Sequence, residues 1–141
     1  YIVPSFAGGF GFDSLQGLPE DWGVVPRGTY SSRGRVPDIK NAKFIVGEFA
    51  ATLPEFFNHK RPMAGLINFD ADLYSSTITA LSNARPVIDH RTTLVFDEFI
   101  VNNNWEEDEF KALNEFCKSN GFSYEVVAVS LFTKQVVCRL I

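Results

Sequence analysis

Residues 63–97 read MAGLINFDADLYSSTITALSNARPVIDHRTTLVFD, and this stretch decides the fold. Met63–Phe69 is an apolar run closed by Asp70, and Thr92–Phe96 is a second, β-branched run closed by Asp97. Runs of this length without alternation suit strands buried on both faces. Between them Ser75–Ala84 carries Ile78 and Leu81 on one helical face. Strand, helix, strand is the unit that builds a parallel sheet with right-handed crossovers.

The same alternation extends outward. Upstream, Gly9–Phe12 and Ala42–Val46 read as strands, and Leu53–His59 as a short helix with Thr52 as N-cap and Pro54 in the first turn. Downstream, Trp105–Asn120 has Phe110, Leu113, Phe116 and Cys117 at helical spacing, with Gly121 placed as its C′ residue. Tyr124–Val129 and Gln135–Leu140 are two apolar runs joined by a short connection, which predicts an antiparallel hairpin. The expected fold is therefore α/β: a Rossmann-like, mostly parallel sheet with helices on both faces and a C-terminal antiparallel hairpin, in a single domain over residues 1–141. Gly8-Gly9-Phe10-Gly11 lacks the spacing of a nucleotide fingerprint and reads as a backbone bend. Residues 14–41, rich in Pro and Gly, are a long connection, either a lid or a plain surface loop.

Composition narrows the function classes. With 141 residues, 45% apolar and 21% charged, the chain has the make-up of an ordinary globular domain. A net charge of −4 and the lack of a basic cluster argue against nucleic acid or an anionic membrane as partner. No apolar run reaches the length of a membrane span and no signal-peptide pattern is present, so a cytoplasmic placement is expected. Cys117 and Cys138 could pair, but they read better as buried free thiols, since the pattern is not that of a small secreted scaffold.

In open α/β sheets ligands bind beyond the carboxyl ends of the strands. There the sequence places Asp13, then Gly47-Glu48, then Asp70 with Asp72, then Asp97-Glu98. Asp is also a good helix N-cap, a reading that fits Asp72 best because a helix follows it closely. Asp70, Asp97 and Glu98 on neighbouring strands would repel one another unless a cation lay between them. Oxygen-only ligands favour Mg²⁺, with Mn²⁺ or Ca²⁺ next. Asp13 suits the ribose-binding acid of a Rossmann-type strand. His59 and His90 read as solvated loop residues, and Asn102 to Asn104 as a solvated turn.

Several of these segments resemble, in order, blocks of the macrocin O-methyltransferase family of class I methyltransferases. They are FDSLQGLPEDW at 12–22, Val46-Gly47-Glu48-Phe49 followed by Thr52-Leu53-Pro54, NFDADLYSST at 68–77, Val95-Phe96-Asp97-Glu98-Phe99, Trp105-Glu106 and Phe110-Lys111-Ala112. The resemblance implies S-adenosylmethionine as methyl donor and a hydroxyl acceptor on a sugar or other small molecule. It implies Asp13 at the ribose, Glu48 and Phe49 beside the adenine, Ser14 and Gly47 also at the cofactor, and Asp70 at both cofactor and catalytic positions. A divalent cation, usually Mg²⁺, would be held by Asp70, Asp97 and Glu98.

Three departures stand out, one being Glu98 at a metal-side position, where its longer side chain could reposition a metal contact. The family's glycine-rich first motif, expected upstream of Asp13, is not found, so the fold is expected to be N-terminally truncated. Asp89-His90-Arg91 replaces the family's glycine-containing turn. The loss of the first motif motivates a second reading, a non-catalytic domain of the same fold. Asp70-Ala71-Asp72 motivates a third, a metal-dependent glycosyltransferase. A sheet lacking a strand leaves an edge open, and pairing of two copies into a homodimer is the expected cover.

Overall fold

The computed structural model describes residues 8–101 and 103–141. The order of elements is β1 (Gly9–Asp13), β2 (Ala42–Val46), α1 (Phe49–Phe57), β3 (Leu66–Phe69), α2 (Tyr74–Ala84), β4 (Thr93–Phe96), α3 (Glu109–Asn120), β5 (Tyr124–Val129) and β6 (Val136–Leu140). Single 3-10 turns precede β4, at Arg85–Val87, and α3, at Trp105–Glu107. The chain divides into two compact units, Tyr1–Phe56 and Phe57–Ile141.

In the first unit β1 and β2 pair in parallel, from Gly9 opposite Ala42 to Asp13 opposite Val46. Gly9 and Gly11 lie within β1, so the expected backbone bend is instead extended strand. Gly11 is needed for a packing reason. A Cβ there would lie 2.6 Å from the Phe44 ring. Phe56 sits edge-on to Phe10 and Phe12, with centroids 4.8 and 4.9 Å apart. Helix α1 begins four residues earlier than the sequence suggests, and Pro54 is inside it rather than in its first turn. Glu48 is the reason. Its carbonyl accepts from the Ala51 and Thr52 amides and from the Thr52 hydroxyl, which starts the helix at Phe49.

The loop after β1 is held by its own hydrogen bonds. The Leu18 amide donates to the Thr29 carbonyl and the Gly28 amide to the Leu18 carbonyl, both at 2.9 Å. The Asp21 carboxylate accepts from the Arg27 amide, and Leu15 and Leu18 are buried beneath these bonds. Gly17 has φ +82°, and a Cβ there would lie 2.2 Å from the Thr29 carbonyl oxygen. Only glycine fits.

In the second unit the strand order is β3-β4-β6-β5. β3 and β4 are parallel, with Phe69 opposite Phe96. β6 runs antiparallel to both β4 and β5, and β5 bulges between Val126 and Ala128. One core cluster runs from Phe69 and Leu81 through Leu94, Phe96 and Phe116 to Leu140. Phe69 and Phe96 stack at 4.9 Å. Helices α2 and α3 lie side by side, joined by Tyr74 with Glu115 and by Arg85 with Asn120. Gly121 ends α3 in the left-handed conformation, its amide bonded to the Cys117 carbonyl. Cys117 and Cys138 are buried free thiols, pushed up by burial to about 11 and about 12.

The Asp89-His90-Arg91 turn closes without glycine because Asp89 does the folding. Its carboxylate accepts from the Arg91 amide at 2.8 Å and pairs with the Arg91 guanidinium at 2.9 Å. No helix among the described residues is long and apolar enough to cross a membrane.

Candidate active site

The first unit offers the carboxyl ends of β1 and β2. Asp13 is the last residue of β1 and is exposed. Its Oδ1 accepts from the Leu15 amide at 2.6 Å, and its carbonyl accepts from the Gly47 amide at 3.0 Å. Asp13 and Gly47 are thereby tied at the ends of adjacent strands. Ser14 Oγ accepts from the Gln16 amide. Gly47 has φ +148°, and a Cβ there would press within 2.8 Å of Thr52 Cγ2. The strand-to-helix turn therefore needs glycine, with Glu48 exposed just after it and Phe49 opening α1.

The second unit gathers the remaining acids. Asp70 follows β3 and Asp97 follows β4, and the Asp97 amide bonds to the Phe69 carbonyl at 3.0 Å. The parallel register thus sets the two acids at the ends of neighbouring strands, as the sequence suggests. Asp72 stands in the left-handed conformation, φ +56°. It is not the cap of α2, whose N-cap is Leu73 with no side-chain cap bond. Burial, then repulsion from Asp70, Glu98, Asp97 and Asp108, pushes its carboxyl up to about 6.

Sequence reasoning missed three residues here. Glu109, the first residue of α3, is fully buried. Its two carboxyl oxygens accept from the Glu98 amide at 3.2 Å and from the Ala71 amide at 3.5 Å, so it ties together the segments that follow β3 and β4. Burial pushes it up to about 8 despite both bonds, so at neutral pH it is mostly the protonated acid. An acid in a helix's first turn is ordinarily a solvated one, so its spacing gave no signal. Lys134 Nζ contacts Glu98 Oε2 at 3.1 Å, and Gln135 Nε2 donates to Asp97 Oδ1. The hairpin register could have indicated these two. Antiparallel pairing of Phe96 with Val136 sets the residues after one beside the residues before the other.

Among the described residues no group of three or more His, Cys, Asp or Glu is arranged to hold a metal ion. Asp97 and Glu98 each have an oxygen engaged by the β5–β6 connection. As arranged, Asp70, Asp97 and Glu98 do not fit a resident divalent cation. Asn103 and Asn104 are exposed, while Asn102 lies outside the described residues.

No known family pattern matches the chain, and no curated protein does. Solved structures do. A crystal structure of CalS11, a calicheamicin methyltransferase, matches 92% of this chain with TM-score 0.69 and 18% identity. Apo CalS11, described as a TDP-rhamnose 3'-O-methyltransferase of calicheamicin biosynthesis, matches with TM-score 0.61 and 18% identity, again over 92%. The O-methyltransferase NovP matches 92% of the chain with TM-score 0.63 and 17% identity. The chain spans 59%, 57% and 58% of those three proteins. Over nearly its whole length, this chain has the α/β fold of these methyltransferases.

Proposed function

We propose that this chain is the greater part of an S-adenosylmethionine-dependent O-methyltransferase acting on a hydroxyl of a sugar or other small molecule. The observation that supports it most is that Asp70 and Asp97 directly follow the paired parallel strands β3 and β4, in a fold shared with methyltransferases of known structure. S-adenosylmethionine, when bound, supplies the activated methyl group.

Asp13 accepts from the ribose hydroxyls at its exposed carboxylate, with Ser14 beside it. Gly47, Glu48 and Phe49 flank the adenine. Asp70, exposed at the end of β3, contacts cofactor and acceptor and takes the acceptor's hydroxyl proton on a carboxylate oxygen. Asp72, raised to about 6 by burial and by repulsion from Asp70, Glu98, Asp97 and Asp108, lies among the same acids. The divalent cation suggested by the sequence does not enter this proposal, because the donor set does not fit it.

Calorimetric titration with S-adenosylhomocysteine tests the reading. Saturable binding to the folded chain is expected, and its absence from a folded sample leaves the non-catalytic reading in its place. Asp70→Asn, with an unchanged circular dichroism spectrum, is expected to lower methyl transfer by about 10² or more. Near-normal turnover would remove Asp70 from the mechanism. Self-pairing belongs to the same proposal. β5 is an outer strand whose Val126, Val127 and Val129 are about half exposed. Light scattering that finds only monomer would exclude it.

A further inference from the structure

We infer that the β5–β6 connection is a built-in plug for the acidic strand ends, with Lys134 and Gln135 occupying Glu98 and Asp97 where the sequence suggests a divalent cation. Asp97 and Glu98 are then engaged by the chain's own groups, which a divalent cation would have to displace.

Register carries the first part of the argument. β4 and β6 are antiparallel with Phe96 opposite Val136. Continuing one step beyond that pair brings Asp97 to Gln135, and a second step brings Glu98 to Lys134. Both contacts are made, the first from Gln135 Nε2 to Asp97 Oδ1 and the second from Lys134 Nζ to Glu98 Oε2 at 3.1 Å.

The connection is also built to present these groups. The Ser130 amide bonds to the Gln135 carbonyl at 2.8 Å, closing the turn. The Thr133 hydroxyl lies 2.7 Å from Ser130 Oγ and 3.3 Å from Gln135 Oε1. Engaging the amide oxygen leaves the amide nitrogen to face Asp97. Lys134 has φ +60°, a conformation uncommon for a residue with a side chain. It is held there while its ammonium reaches Glu98.

The chemistry separates the plug from a metal. Mg²⁺ needs near-octahedral oxygens at about 2.0–2.1 Å, and Asp97 Oδ1 and Glu98 Oε2 are already engaged by the plug. Lys134 and Glu98 are 40% and 23% exposed at their side chains. The pair is screened by solvent and therefore breakable. Removing the ammonium should accordingly open the cluster to a cation.

Manganese binding, read by electron paramagnetic resonance and by calorimetry on the whole chain, tests this without any turnover. The wild-type chain is expected to half-saturate only above about 1 mM Mn²⁺. Lys134→Met is expected to bind at least about tenfold more tightly, to melt lower in EDTA and to regain its melting temperature with Mn²⁺. Gln135→Leu should shift binding in the same direction, and Lys134→Arg should behave as wild type. Tight wild-type binding overturns the inference, as does Lys134→Met binding no better than wild type. The inference needs only the carboxylate geometry, so it can fail while S-adenosylhomocysteine still binds, and the reverse.

Discussion

The two units reach order by different means. Phe57–Ile141 encloses fifteen buried residues in one cluster, with Leu81, Leu94 and Phe96 losing essentially all exposure. In Tyr1–Phe56 the buried hydrophobic residues among those described are Leu15, Leu18 and Leu53. There the weight falls on loop hydrogen bonds and on glycines no other residue can replace, Gly17 and Gly47. A unit with a contiguous core is governed by packing and cavity costs. One with few buried side chains is governed by backbone geometry. Two tryptophans, Trp22 and Trp105, give each unit its own fluorescent reporter.

The largest effect should come from the packed core. Phe96→Ala is expected to destabilise by about 3–5 kcal/mol, because its ring is fully buried and stacked on Phe69. Urea unfolding followed at Trp105, in a Trp22→Phe background, reads it. Followed at Trp22, in a Trp105→Phe background, the midpoint should move less. Equal shifts at both reporters would show that the units unfold as one and would end the comparison.

An intermediate effect is expected in the first unit. Gly17→Ala should cost about 1–3 kcal/mol, read at Trp22, since a Cβ would meet the Thr29 carbonyl. An unchanged midpoint would mean the loop yields easily and that backbone geometry does not govern this unit.

The third effect is a slope with pH. Glu109 is raised from 4.5 to about 8. Between those values the folded chain carries a proton that the unfolded chain has lost. Its contribution to stability is therefore complete below about 4.5 and is lost as pH rises through about 8. Glu109→Gln mimics the protonated acid and should flatten stability over that window. Asp72, also raised, leaves a shallower decline at lower pH in both chains, so the difference between wild type and variant isolates Glu109. Parallel pH profiles for the two would remove Glu109 as the source.

The end acids were legible because each belongs to a local pattern, an apolar run stopped by a carboxylate. Asp13, Asp70 and Asp97 needed only that pattern and a parallel sheet. Helix α1 was misplaced because Pro54 drew the start toward itself, whereas the Glu48 carbonyl and the Thr52 hydroxyl set it. Capping, the alternative reading of Asp72, is not what the structure shows, since Asp72 is a left-handed, partly buried acid ahead of α2.

The sequence by itself determined the order of elements, the parallel strands with their acidic ends and the closing hairpin. Periodicity and strand ends are properties of a few consecutive residues. Only the tertiary structure decided what those acids touch. Glu109 reaches Ala71 from 38 positions away, Lys134 reaches Glu98 from 36, and Gln135 reaches Asp97 from 38. Whether a carboxylate faces water, a backbone amide or an ammonium depends on which distant segment the sheet register lays beside it, and no local pattern encodes that.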